Sequence, residues 1–253
     1  MPDLRFAAPK QQRVAVITGG ARGIGGATAV RLAEAGRDIV IADVLVDEAA
    51  ETMAQIAALG QRARVIPTDV SDEAAVRAMV AQTLHEFGRL DILVCCAGIF
   101  GKETPYLEIE TDVFERCLKI NVLGVHYAHQ ACIPHMLRQG WGRCVTITSA
   151  ARLGATHNVP YGVSKGAVWS FVQALGNAYP ERNVFVNGVE PGRALTQMVI
   201  PRFSQAHLDN PGVPIGRYSD ANEVSEVIEF LTSERNTYTT GAVWSCKGGS
   251  GWS

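Results

Sequence analysis

No stretch of this chain approaches an unbroken apolar run long enough to span a bilayer, which takes roughly 18–20 residues. Residues 1–12 lack the apolar segment of a secretory signal and instead mix Pro2, Pro9 and Lys10 into a short extension. There is no charge excess either. The formal net charge is −2, and the charged 19% is scattered without a run of one sign. That balance gives no purchase on nucleic acid or an anionic membrane and leaves a small molecule as the expected partner. Cysteine is present but unpatterned: Cys95, Cys96, Cys117, Cys132, Cys144 and Cys246 have the spacing of neither a zinc ribbon nor a disulfide framework. Thiols in apolar runs act as small hydrophobes, so a reducing cytoplasm and no bound metal are expected. Repeats, linkers and low-complexity tracts are also missing, so the 253 residues are expected to form a single domain.

What is there alternates. Short β-branched runs at 13–18, 38–42, 63–67, 90–94, 143–148, 184–189 and 242–246 predict strands. Between them, helical periodicity marks 25–35, 46–59, 71–87 (with Ser71 as N-cap), 114–137, 160–178 and 220–231. Runs that are apolar throughout suit strands buried on both faces. The pattern predicts an α/β fold: one doubly wound parallel sheet of Rossmann type with helices on both faces. Residues 196–216 hold three prolines and little periodicity and read as a substrate loop, with Met198, Val199, Ile200 and Phe203 to cover an apolar ring.

The first strand runs directly into Thr18-Gly19-Gly20-Ala21-Arg22-Gly23-Ile24-Gly25 and then a helix. Glycines here allow a tight turn and let the backbone approach a pyrophosphate held by the helix N-terminus. Asp43 closes the second strand 18 residues after Gly25. A carboxylate there binds the ribose hydroxyls of NAD and repels the 2′-phosphate of NADP. Arg22 pulls mildly toward NADP, and the two together predict NAD over NADP.

The spacing Gly19-x-x-x-Gly23-x-Gly25 resembles the short-chain dehydrogenase/reductase family, and the likeness extends over nearly the whole chain. Asp69-Val70 is similar to the family's adenine-contacting pair. Cys95-Cys96-Ala97-Gly98 stands where the family usually has Asn-Asn-Ala-Gly, which leaves Ala97 and Gly98 to line the pocket. Asn121, Ser149 and Tyr161-x-x-x-Lys165 match the catalytic set. Asn187-Gly-Val-Glu-Pro191-Gly192, with Ala194 and Thr196, matches the segment at the nicotinamide. The resemblance implies an oxidoreductase that moves a hydride between nicotinamide and a small secondary alcohol or ketone: a polyol, a cyclic alcohol or a hydroxy acid. It also implies a homo-oligomer, tetramer or dimer.

The chemistry accounts for the residue types. A phenol titrates near pH 10, too high for a base at neutral pH. An ammonium one helical turn away favours the phenolate, so Tyr161 with Lys165 makes an acid/base. By resemblance, Lys165 also holds the nicotinamide ribose and Asn121 holds a water that relays protons. Ser149 supplies a hydroxyl to the substrate oxygen, with Thr148 the alternative. Arg152, His157 and Arg193 are candidates for binding an anionic substrate group, or are solvated loop charges. Ser149 precedes Tyr161 by 12 residues, where the family more often shows 13. His126 and His129 stand three apart, a metal-ligand spacing without a third ligand, and read as packing residues. The alternatives are a non-catalytic NAD-binding regulator, an NADP-dependent ketone reductase, and an epimerase or dehydratase. The last of these usually carries a different glycine loop.

Overall fold

The structure, a computed structural model, describes residues 11–197, 200, 204–210 and 212–250. Most of the 1–12 extension, Met198, Val199 and Phe203 therefore lie outside the described residues. Seven strands form one sheet: β1 Val14–Thr18, β2 Asp38–Asp43, β3 Ala63–Pro67, β4 Ile92–Cys95, β5 Gly142–Ile147, β6 Val184–Pro191 and β7 Val243–Cys246. Their order is β3-β2-β1-β4-β5-β6-β7. Every neighbouring pair is parallel.

Burial follows that order. Strands β1, β2 and β4 are buried at every position. The edge strands β3 and β7 are mostly half-buried or exposed. A central parallel strand must be apolar on both faces, whereas an edge strand is relieved of that requirement.

The helices are α1 Gly23–Glu34, α2 Ala50–Ala58, α3 Glu73–Phe87, α4 Thr111–Leu118, α5 Gly124–Gln139, α6 Val159–Gly176, the short α7 Gln205–Asp209, and α8 Ala221–Thr232. One core unites one sheet face with α3, α5 and α6 through Met79, Val80, Ala128, Cys132, Met136 and Val168. The other unites the opposite face with α1, α2 and α8 through Leu32, Ile56, Val224, Ile228 and Leu231. The sheet is thus wound on both faces, as expected. His129 is buried against the edge of Phe171, with ring centroids 5.3 Å apart. Burial pushes its imidazole down to about 4, which keeps it neutral. His126 also meets Phe171 edge-on. Among the described residues no His, Cys, Asp and Glu cluster has the makings of a metal site.

Among the departures from the sequence-based expectation, two have a clear physical cause. Helix α3 is capped by Asp72, not Ser71: the Asp72 carboxylate accepts from the Ala74 and Ala75 N–H groups. Ser71 instead gives its own N–H to Asp69 Oδ1 at 2.9 Å. The single helix expected over 114–137 is two, joined by a π-helical turn at Lys119–Leu123. Apolar periodicity does not register one extra residue in a turn.

Candidate active site

In an open parallel sheet, ligands bind beyond the carboxyl ends of the strands, where the strand order reverses. Here that point lies between β1 and β4, which are neighbours while their successors run to opposite sides. The glycine loop and the Cys96-Ala97-Gly98 turn meet there. A Cβ on Gly19 would come within 2.6 Å of the Ala97 backbone. One on Gly25 would come within 2.0 Å of the Gly19 carbonyl oxygen. Only glycine allows these approaches. A Cβ on Gly23 would lie 3.7 Å from Thr196, so the start of the 196–216 loop sits over the glycine turn.

A dinucleotide fits this cradle. Helix α1 has no side-chain cap and no acidic residue in its first turn, which leaves its N-terminal N–H groups to a phosphate. Asp43 ends β2 beside it. Its Oδ2 accepts from the Ala21 N–H and its Oδ1 from the Leu45 N–H, both at 3.0 Å. Each oxygen keeps a lone pair for a ribose hydroxyl. Arg22, the residue that pulled toward NADP, pairs with Glu48 at 2.5 Å. Asp69 and Val70 follow β3. Val70 packs on Gly124, and Asp69 borders a cavity of about 440 Å3 with Arg116, Lys119 and Ile120. Hydrogen bonds from Ser71 hold the Asp69 carboxyl below its ordinary value.

Tyr161 and Lys165 lie one turn apart on α6, with the Lys165 ammonium 5.6 Å from the Tyr161 ring centre. Lys165 is 7% exposed, and its Nζ donates to the Ile147 carbonyl at 2.7 Å. Burial pushes this ammonium down to about 8. Ser149 follows β5; its Oγ is half-buried and accepts from the Ala151 N–H at 3.2 Å. Thr148 is 1% exposed and gives its hydroxyl to the Val189 carbonyl, so Ser149 is the more available of the two. Asn121 sits in the π turn. Its Nδ2 donates to the Ile99 carbonyl at 2.9 Å and to Ser164 Oγ at 3.0 Å, and its Oδ1 accepts from the Ile99 N–H at 2.8 Å. Asn121 therefore ties the loop after β4 to the helix that carries Tyr161 and Lys165.

The remaining candidates are spread around the rim. Gly192 donates its N–H to the Cys246 carbonyl, and Ala194 bridges to Ser219, which fixes the turn after Pro191 beside β7. Arg193 is exposed and borders a cavity of about 230 Å3 shared with Arg217, Glu223 and Lys247. His157 is exposed. Arg152 is half-buried, with its Nε on Glu190 at 2.8 Å.

Sequence reasoning passed over two neighbours of Tyr161. Asn158 caps α6 by accepting from the Tyr161 N–H, and its Nδ2 also donates to the Phe100 carbonyl. The Phe100 ring stacks at a tilt on Tyr161, 4.7 Å between centres. Asn158 was findable: an Asn two residues before Pro160 is a helix-start signature. Phe100 was not, because only the loop's path brings it there.

Comparison with known proteins bears on the same region. The short chain dehydrogenase family model matches residues 13–207. The chain belongs to the short-chain dehydrogenase family. Among its relatives in that family is the 2-dehydro-3-deoxy-L-rhamnonate dehydrogenase (NAD(+)) of Sphingomonas sp. (strain SKA58), 32% identical over 96% of this chain and 97% of that one. The cis-4-hydroxycyclohexanecarboxylate dehydrogenase of Sinomonas cyclohexanicum is 36% identical over 94% and 96%. The solved structure of NAD+-bound xylitol dehydrogenase superposes with a TM-score of 0.88 at 31% identity, covering 94% of this chain and 98% of that one. The chain is an oxidoreductase whose fold takes a nicotinamide cofactor.

Proposed function

We propose that this oxidoreductase uses NAD to interconvert a small secondary alcohol and its ketone, with Tyr161 as the acid/base. The observation that carries this reading is the Tyr161–Lys165 pair on α6, with a buried ammonium 5.6 Å from the phenol ring. When bound, NAD would supply or accept the hydride through its nicotinamide ring. Gly19, Arg22, Gly23, Ile24 and Gly25 hold its pyrophosphate side, and Asp43 its adenosine ribose. Asp69 and Val70 flank the adenine. Ala97, Gly98, Pro191, Gly192, Ala194 and Thr196 line the nicotinamide half. Ser149 aligns the substrate oxygen, Tyr161 Oη takes or returns its proton, and Lys165 favours the phenolate. Asn121 holds the relay to solvent.

Asp43, with Arg22 engaged by Glu48, supports NAD over NADP. For the substrate, two relatives are named for acids: a rhamnonate derivative and a hydroxycyclohexanecarboxylate. Arg193 and His157 on the rim suit a carboxylate on such a compound. The family resemblance supports a homo-oligomer, and six free cysteines support a reducing cytoplasm.

The test follows NADH absorbance with cyclic alcohols, polyols and hydroxy acids. Wild type is expected to reduce NAD+ with at least one class. Tyr161→Phe is expected to lose about a hundredfold to ten-thousandfold in kcat while still binding NADH. Turnover that survived Tyr161→Phe would remove Tyr161 from the mechanism. NADH binding without turnover of any class would point to a regulator instead.

A further inference from the structure

A second charged cluster lies beside this site. Glu190 is the penultimate residue of β6, just before the Pro191-Gly192 turn, and it is 0% exposed. A buried carboxylate needs partners, and this one has three. Arg152 Nε donates to Oε2 at 2.8 Å. Lys247 Nζ lies 2.8 Å from Oε1, and Ser245 Oγ donates to Oε1 at 3.3 Å. Burial alone raises the Glu190 carboxyl, but Lys247 and Arg152 outweigh it and hold the group below its ordinary value. The Arg152 guanidinium also lies over the Trp169 ring of α6, 5.2 Å from its centre.

The partners come from two other segments, the turn after Ser149 and the end of β7. Arg152 sits three residues after Ser149 in a short turn, Ala150–Leu153, and donates its N–H to the Ser149 carbonyl at 3.2 Å. Lys247 follows β7, and its Cα lies 2.9 Å from where a Cβ on Gly192 would stand. Glu190 itself leads into the turn expected to face the nicotinamide. One carboxylate therefore fastens the Ser149 turn, the Pro191-Gly192 turn and the end of the last strand to a single point.

We propose that Glu190, through Arg152, is a positioning residue that sets the Ser149 turn against the nicotinamide-facing turn. Arg152 is then spent on the protein and does not contact substrate. The proposal rests on the dehydrogenase reading for its kinetic consequence, but not for its structural one.

Arg152→Gln isolates the effect, because Glu190 keeps its 1:1 pair with Lys247 and Ser149, Tyr161 and Lys165 are untouched. The measurement compares wild type, Arg152→Gln and Arg152→Lys. Cyclohexanol serves as the neutral probe and cis-4-hydroxycyclohexanecarboxylate as the charged one. The expected result is a kcat lowered about tenfold to a hundredfold for both probes, with KM and NADH affinity changed less than twofold. Arg152→Lys should recover part of the loss. Independently, hydrogen exchange in the NADH complex should be about tenfold faster at residues 151–154 in Arg152→Gln and unchanged in α1. A rise in KM for the carboxylate alone, with kcat intact, would make Arg152 a substrate contact and overturn the proposal. Unchanged exchange at 151–154 would overturn it too. Wild type inactive on cyclic alcohols, polyols and hydroxy acids alike would count against the alcohol-dehydrogenase reading only, since exchange still decides whether the turn is held.

Discussion

Lys165 concentrates the energetics of the site in one side chain. Its ammonium is buried, donates to Ile147 and titrates near 8 instead of 10.5. Because the folded value is depressed, the unfolded chain binds more protons between those two pH values, and native stability gains as pH rises through the window. Lys165→Met removes that dependence. Between pH 7 and pH 10.5, urea melts of the apoprotein should show wild type gaining about 3 kcal/mol on the variant. A constant difference across that range would mean that the ammonium is not strained by burial. Tyr161, Lys165, Ser149 and Asp43 stand out in the sequence because the chemistry proposed for them sets residue type and spacing. Glu190 does not: a glutamate near the end of an apolar strand has no readable partner until Arg152, 38 residues away, and Lys247 are folded onto it. The same holds for Phe100 on Tyr161.

At the scale of elements, strands and helices followed their periodicity, and the errors fell at ends and joints. Asp72 caps α3 because its carboxylate reaches the Ala74 N–H at 2.8 Å, whereas Ser71 is occupied with Asp69. Asp72→Ala should therefore cost about 1 kcal/mol in chemical denaturation, and Ser71→Ala less. Equal losses would return the cap to Ser71. The π turn at Lys119–Leu123 is the second such joint. It delivers Asn121 to Ile99 and Ser164, a pairing set by how α4 and α5 pack rather than by any local preference.

For the whole molecule, strand order decides where the cofactor site can be. Asp43 stands at the end of β2, one strand from the β1/β4 crevice, and grips the glycine loop through the Ala21 N–H. Ligand binding should then appear as stability of the entire fold. At a hundred times its dissociation constant a ligand adds about 2.7 kcal/mol, so NAD+ should raise the melting temperature more than NADP+ at equal concentration. Asp43→Ala should narrow or reverse that gap. An NADP+ preference in wild type, or no change in the variant, would defeat the NAD assignment.

The sequence by itself determined the alternation of strands and helices, the glycine cradle and the one-turn spacing of Tyr161 and Lys165. Each of these is a local pattern whose spacing the backbone geometry dictates. Only the tertiary structure decided that Arg22 pairs with Glu48, that Asn158 and Phe100 steady Tyr161, and that Glu190 joins Arg152 to Lys247. Those contacts join residues from different elements. Burial, charge and distance fix them only once the sheet has brought its strand ends to a common edge.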